Sequence, residues 1–440
     1  MTSIQDIEKN PLQEMFRKLD SDYQNLLISI SWLPPGEKLL LDLLQRISGN
    51  DEVDELVQKL GFLVNMGFLT RENEEFFIKS KVSKLILETI DKKLADDILR
   101  KTSKEMYQLT NEIEHPDHFK RYEKHIEKLA QQGQIHKIAI AGLLFGLLGR
   151  YKLQIGNNED AVKFIRRALL IIEKVSGVES VEHTENLNNL GSALHRMRRY
   201  EDAKKCFEQA IIIDKKILGE DDPAVAIGHN NLGQVLIDMN SMEGAIIHLE
   251  KALELNVKNL GNEHPFVASG HYNLGMALIA MGDMPRARAQ LELALAKRIK
   301  NYGENHLLVA EAHHGLGMLL QTIGNVIGAI EHYQQAVKIY ESENVENNLK
   351  LAASYTNLGG VFHVSGELSK AKDYYRKALA IFETETSEDE KHIKDLRLQL
   401  KLAEMGMTMP QLLEKMESGE KLSEELMEIL NENFGDGKVF

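Results

Sequence analysis

Sixteen histidines and one cysteine, Cys206, are the residues of this 440-residue chain best suited to metal or covalent chemistry, and their spacing supports neither. Adjacent His313 and His314 would point about 100° apart on a helix. The wider pairs, His264 with His271 and His306 with His313, make no HxxxH or HExxH set that would put two imidazoles on one face beside an acidic residue. Cys206 follows Ala203 by three positions and sits beside Phe207, where a small apolar residue packs, with no local His-Cys signature to activate its thiol. Acyl transfer would call for a strained strand-to-helix elbow or a glycine-rich oxyanion loop, and phosphoryl transfer for a GxxxxGK[ST] loop; the sequence carries none of these. No catalytic residue, cofactor or metal is expected. The polar residue that does recur is asparagine, whose carboxamide both donates and accepts. A row of such groups can hydrogen-bond the main chain of an extended peptide with little dependence on its sequence. Taken singly, each Asn serves equally well to solvate a helix face or cap a neighbour.

The elements that would hold such a row follow from a strict period. Gly149, Gly191, Gly233, Gly275, Gly317 and Gly359 are spaced by 42 residues. Ala161, Ala203, Ala245, Ala287, Ala329 and Ala371 keep step with them, as do Ala168, Ala210, Ala252, Ala294, Ala336 and Ala378. Within each unit apolar residues fall three and four apart, which predicts two helices per repeat. Self-similarity at this period marks an α-solenoid, whose extended concave face binds another polypeptide. Small residues at fixed sites let helix axes approach, and a large residue four after the first alanine (Ile165, Phe207, Leu249, Leu291, Tyr333, Tyr375) fills the adjoining gap. Gly156, Gly282, Gly324 and Gly366 would end the first helix in a left-handed conformation; Arg198 and Asn240 occupy the equivalent places, Arg198 awkwardly. Gly177, Gly219, Gly261 and Gly303 punctuate the joints between units, with Pro223 and Pro265 opening the next helix.

The segments "NNLGSALHRMRRYEDAKKCFEQAIIIDKKILGEDDPAVA" and "YNLGMALIAMGDMPRARAQLELALAKRIKNYGENHLLVA" resemble the 42-residue tetratricopeptide repeats of kinesin light chains, over about residues 137–382. The resemblance implies an inner groove lined by polar positions of the first helix of each pair. These are Asn188, Asn189, His195 and Arg196; Asn230, Asn231, Gln234 and Asp238; Tyr272, Asn273, Met276 and Ile279; His314, Met318 and Gln321; and Thr356, Asn357 and His363. By the same resemblance Asn189, Asn231, Asn273 and Asn357 are the leading contacts to a peptide backbone, and Gly315 breaks the ladder, leaving a gap or a wider pocket. Met276, Ile279 and Met318 form an adaptable apolar patch or else complete the core. Replacing Asn231 and Asn273 together with Ala should then weaken partner binding and leave melting intact.

Composition fits a helical protein: 43% hydrophobic, 27% charged, only 8 Pro. A net charge of −14 disfavours nonspecific binding to nucleic acid or anionic membrane. A single cysteine excludes an intramolecular disulfide framework, and the start MTSIQDIEKN lacks a basic end and an apolar segment, so a cytoplasmic location is expected. The apolar run "KIAIAGLLFGLLGRY" is too short to span a bilayer, which takes about 20 residues.

The expected division is an N-terminal leader at 1–11, a winged-helix-like domain at 12–104, connecting helices at 105–136, six repeats at 137–382, and capping helices with an acidic tail at 383–440. In the second of these, helices are expected at 20–30, 37–48, 51–65 and 81–99, around a hairpin that sets Phe68 and Leu69 against Phe76, Phe77 and Ile78. "YQNLLISISWLPPGEKLLLDLL", "LVQKLGFLVNMGFLTRENEEFFIKSKVSKLILETI" and "FKRYEKHIEKLAQQGQ" look like the segment joining nucleotide-binding and repeat domains in multidomain signalling ATPases. A DNA-reading winged helix needs clustered cations. Residues 31–80 hold five Lys or Arg against nine Asp or Glu, although the following helix is more basic. At the C-terminus Ile393, Leu396, Leu398 and Leu400 are expected to cover the last repeat, and Leu412 to Leu430 offer a rival role as an internal groove ligand. The fold class read here is mainly all-α: a tetratricopeptide superhelix preceded by a small winged-helix-like domain. The function read is a non-enzymatic adaptor or sensor that binds a protein or peptide. Two alternatives stand beside it: the recognition half of a signalling ATPase system, and a peptide-responsive DNA-binding regulator.

Overall fold

The computed structural model describes residues 11–49, 52–111, 113, 115–342, 349–385, 390–418, 420, 422–423, 426–427 and 429–430. Residues 1–10 of the expected leader and 431–440 of the expected tail lie outside them. The chain divides into two compact units, Met1–Glu220 and Asp221–Phe440.

The first unit opens with α1 (Pro11–Lys18), α2 (Ser21–Ser31), α3 (Leu41–Ser48) and α4 (Val53–Asn65), then a hairpin of β1 (Leu69–Glu72) and β2 (Glu75–Ile78). The strands are antiparallel, with Leu69 opposite Ile78 and Arg71 opposite Phe76. Asn73 and Glu74 make the two-residue turn with φ of 47° and 66°, the conformation that suits the twist of a tight hairpin. The helix expected from residue 37 begins only at Leu41. The reason is that Gly36–Leu40 runs along β2 instead, with Leu39 N donating to Phe76 O (2.9 Å) and Gly36 N to Ile78 O (3.0 Å). The helix expected over 81–99 is two, α5 (Ser80–Thr89) and α6 (Lys92–Thr110). Ile90 is extended there, and the Asp91 carboxylate caps α6 by accepting from Lys93 N (2.9 Å) and Leu94 N (3.3 Å). After α7 (Pro116–Lys120) and α8 (Glu123–Ile135) come two helix pairs, α9 (Ile140–Gln154) with α10 (Asn158–Val175), and α11 (Val181–Arg196) with α12 (Tyr200–Leu218). The apolar run "KIAIAGLLFGLLGRY" supplies α9.

The second unit holds four more pairs: α13 (Pro223–Asp238) and α14 (Met242–Leu260), α15 (Pro265–Met281) and α16 (Met284–Tyr302), α17 (Leu307–Thr322) and α18 (Val326–Ser342), α19 (Leu349–Val364) and α20 (Leu368–Glu385). The packing is the one the period predicts. All six alanines of the first set are fully buried. A Cβ placed on Gly233 would stand 2.7 Å from Leu249, on Gly275 2.7 Å from Leu291, and on Gly317 2.7 Å from Tyr333, so each glycine is the seat of the large residue 16 positions later. Arg198 and Asn240 adopt the left-handed conformation (φ 57° and 59°) that Gly282, Gly324 and Gly366 adopt in their own repeats. Ser180, Asp222, His264 and His306, also 42 apart, cap the first helices of their repeats. Their side chains accept from His183 N, Ala224 N, Phe266 N and Leu308 N respectively. Two of the histidines that invite a metal reading are therefore helix caps.

Beyond the repeats lie α21 (Glu390–Glu404) and α22 (Met409–Glu417). Ile393, Leu396, Leu400 and Ala403 pack on the core of the last repeat, with Tyr375, Ala378 and Phe382. Leu398 does not join them, which corrects the expectation: two residues from Leu396 on a helix, it faces the opposite way and packs with Leu402 against Leu412, Leu426 and Leu430. Of the apolar residues of 412–430, Leu412, Leu426 and Leu430 are buried on this cap, whereas Leu413 and Met427 are exposed.

Candidate functional site

The polar row is built by the first helix of each pair. In the second unit α13 contributes Asn230, Asn231 and Gln234, α15 contributes Tyr272, Asn273 and Met276, α17 contributes His314 and Met318, and α19 contributes Asn357. All nine are half-buried. Successive first helices touch through them. The Asn273 amide donates to Asn230 Oδ1 at 3.0 Å, and Asn357 Nδ2 meets His314 Nε2 at 3.3 Å; both pairs are 43 residues apart. Ser354 donates its hydroxyl to Lys350 O (2.9 Å), which leaves its oxygen to accept from His314 Nδ1 (2.8 Å). His314 is thereby held as the Nδ1–H tautomer with Nε2 accepting from Asn357. Burial, opposed only partly by Glu311, pushes its pKa down to about 4, in keeping with a neutral ring. Half of the asparagine row is thus occupied in fastening one repeat to the next. Asn231 is different: it makes no side-chain hydrogen bond among the described residues.

Gly315 opens no gap, contrary to the expectation. A Cβ there would lie 3.2 Å from Tyr272 Cε2, 3.2 Å from Leu291 Cδ2 and 3.3 Å from Met276 Sδ, so the larger side chains at 272 and 276 already fill the place of an asparagine. The open space lies one helical turn earlier. A cavity of about 270 Å³ is lined by Tyr272, Glu311, His314, Tyr340, Lys350 and Ala353. Arg298 lies against this wall: its guanidinium sits 4.3 Å from the Tyr272 ring centroid, donates Nη1 to Leu308 O at 2.6 Å and comes within 3.5 Å of Glu311 Oε2. Lys350 bonds the other Glu311 oxygen. Arg298 is 2% exposed, and burial lowers its pKa. Two cations thus meet one carboxylate. Burial and the Glu311 charge push the Tyr272 phenol up to about 12, so it stays a neutral donor. The cavity lining offers phenol and ammonium donors, with the buried Arg298 behind the Tyr272 ring, which suits an acceptor or an anionic side chain.

In the first unit, α11 carries Asn188, Asn189, His195 and Arg196. Asn189 is half-buried and makes no side-chain hydrogen bond among the described residues, and Asn188 Oδ1 is buried without a partner among them. Arg196 donates Nη1 to Leu153 O at 2.6 Å, fastening α11 to α9, and His195 lies 5.8 Å from the Tyr200 ring. Cys206 is inert by environment: burial first, and then Asp202, push its thiol pKa up to about 11.

Sequence reasoning missed Glu311, Tyr340 and Lys350. One signal was there: Glu311 falls where the other repeats of this unit carry Ile227, Ser269 and Ala353. It also missed two imidazole pairs, His229 with His248 (Nδ1 to Nδ1 2.7 Å) and His313 with His332 (2.9 Å). His271 meets Gln290 at the equivalent place. The common spacing of 19 residues joins the two helices of one repeat, which a search along a single helix cannot see. Among the described residues there is no group of three or more His, Cys, Asp or Glu able to hold a metal ion. Nor, among them, is any helix long and apolar enough to cross a membrane.

The paired helices, the glycine seats and the 42-residue period define a tetratricopeptide-repeat scaffold, a fold that serves protein–protein interaction. The tetratricopeptide repeat family matches residues 140–216, 182–258, 266–342 and 324–384, more than half of the chain, and the protein belongs to that family. None of the curated proteins matches the chain. Among solved structures it is similar to BtubC from P. vanneervenii, at 22% identity over 53% of this chain and 91% of that one, with a TM-score of 0.43. A signal transduction ATPase with numerous domains and a tetratricopeptide repeat sensor, from Pyrococcus horikoshii, matches at 15% identity over 93% of this chain and 64% of its own, with a TM-score of 0.49. A Rap protein complexed with competence and sporulation factor matches at 15% identity over 87% and 98%, with a TM-score of 0.45.

Proposed function

We propose that the protein is a non-enzymatic, cytoplasmic adaptor or sensor that holds an extended peptide, or a helix of a partner protein, along the first-helix face of its repeats. The observation that carries this reading is the division of labour in the row. Asn273 and Asn357 are spent on fastening repeats, whereas Asn231 is half-buried and unpaired among the described residues, which supports its having a main chain as partner. In this reading Asn231 bonds the peptide backbone, and the Tyr272–Lys350 cavity takes one acceptor or acidic side chain and supplies the specificity that backbone bonds lack. Rigid helices hold these groups in place, so the arriving segment bears most of the ordering cost. The segment 12–104, with its hairpin, would act as a cap or a second protein surface.

The test is selection from a phage-displayed peptide library on the full chain, followed by fluorescence polarisation of the selected peptides. Replacing Asn231 and Gln234 with Ala is expected to weaken binding about tenfold, since each lost backbone bond is worth about 0.5–1.5 kcal/mol. Peptides that bind the double variant as tightly as the wild type would sink the assignment. Asn273 is the wrong residue for this purpose, because its removal also breaks the bond to Asn230 and so loosens the stack.

A further inference from the structure

The first unit contains a second concavity, unrelated to the polar row, where the end of α2, the helix α5, the start of α6 and the end of α8 meet. Its volume is about 450 Å³, within the range of small-molecule sites. Leu87, Ile90 and Ala95 give it apolar walls, and three lysines, Lys84, Lys92 and Lys128, line it against one carboxylate, Glu88. Glu88 is committed to Lys84 at 3.8 Å, so Lys92 and Lys128 are left as the net charge of the site. That is unusual on a chain whose net charge is −14. Trp32 lines the cavity at 4% exposure, and its indole Nε1 is buried with no hydrogen-bond partner among the described residues. The ring is held edge-on by His136 at 5.1 Å, and His136 is itself fixed by Asp96 at 2.6 Å. Nε1 is closed off from the cavity, so the indole contributes an apolar wall and a fluorescent reporter, not a donor.

We propose that this cavity binds a small organic anion with a planar apolar body, its acidic group at Lys92 and Lys128 and its apolar body against Leu87, Ile90 and the Trp32 ring. Apolar walls exclude a bare inorganic ion, and the lysine pair selects against a neutral ring. The occupant would bridge α5, α6 and α8 and so stiffen the region where the hairpin-bearing segment meets the helices before the repeats.

The site reports on itself, because Trp32 is the one tryptophan of the chain. The probe is the aromatic sulfonate 8-anilinonaphthalene-1-sulfonate, added to the full-length protein. Excitation of Trp32 is expected to give saturable quenching of the indole with energy transfer to the probe, at one site. The variant K92Q/K128Q should raise the apparent Kd about tenfold with unchanged far-UV circular dichroism and Tm. The neutral analogue N-phenyl-1-naphthylamine should bind about tenfold more weakly than the sulfonate. Absence of Trp32 quenching, equal affinity for the variant, or equal affinity for the neutral analogue would each overturn the proposal. None of these outcomes touches the peptide-binding reading, whose residues lie on other helices.

Discussion

Gly275→Ala tests the packing rule on which the array rests. The added Cβ would stand 2.7 Å from Leu291 Cγ, 2.9 Å from Leu291 Cδ2 and 3.4 Å from the Ala287 carbonyl oxygen, where carbon atoms prefer about 3.5–4.0 Å. Leu291 is fully buried, so it cannot swing aside, and the helices must part by a sizeable fraction of an ångström. Overpacking of this kind costs about 1–3 kcal/mol. The intrinsic preference of a helix for Ala over Gly returns about 1 kcal/mol, which leaves a net destabilisation of about 0–2 kcal/mol. Leu291→Ala alone should cost about 2–5 kcal/mol by leaving a cavity. In the double variant the new methyl partly fills that cavity, so the two effects should couple favourably by about 1–2 kcal/mol. Gly61→Ala is the control, because a Cβ there meets nothing within 4 Å on α4 and only the helix gain remains. The assay is urea unfolding followed by far-UV circular dichroism. A G275A midpoint raised above that of the wild type as G61A's is would refute the close-approach account.

Two further predictions concern backbone and charge. Arg198 holds a left-handed conformation that costs a side-chain-bearing residue about 1–2 kcal/mol, so Arg198→Gly, after glycine's extra chain entropy of about 0.5–1 kcal/mol, should stabilise by up to about 1.5 kcal/mol and raise Tm; a lower Tm would show that Arg198 makes a stabilising contact. Burial, with His332 beside it, pushes His313 down to about 4, and burial also lowers His332. Depressed histidine pKa values mean that the unfolded chain binds more protons between about pH 4 and 6.5, so this contribution is full above pH 6.5 and is lost as the pH falls through that window. Among the charges that face the pair, Glu331, Glu292 and Arg288 bear on His332. His332→Gln, which recreates the His271–Gln290 arrangement, should flatten the fall in Tm between pH 6.5 and 4.5 relative to the wild type. An unchanged slope would show that the pair does not titrate with folding.

What could be read from the sequence was what repeats. Gly233 with Leu249 and Gly317 with Tyr333 are visible as fixed offsets of 16, because two helices of constant length and one turn bring those positions together in every unit. The departures from period were harder. The late start of α3 depends on Leu39 bonding Phe76, a pairing of distant segments that no local pattern announces. Among site residues, the asparagines were found by type but not sorted by role: whether a carboxamide fastens repeats, as Asn273 does, or stays unpaired, as Asn231 does, depends on what occupies the position 43 residues away. Gly315 shows the same dependence, since Tyr272 and Met276 decide its size.

The central claim is that the first-helix face of the repeats is where a partner chain lies. Hydrogen–deuterium exchange of the full chain, with and without a selected peptide, addresses it directly. The account predicts added protection in α13, α15 and α17, weakened by N231A/Q234A. Protection confined to α14, α16 and α18, or to residues 12–104, would contradict it.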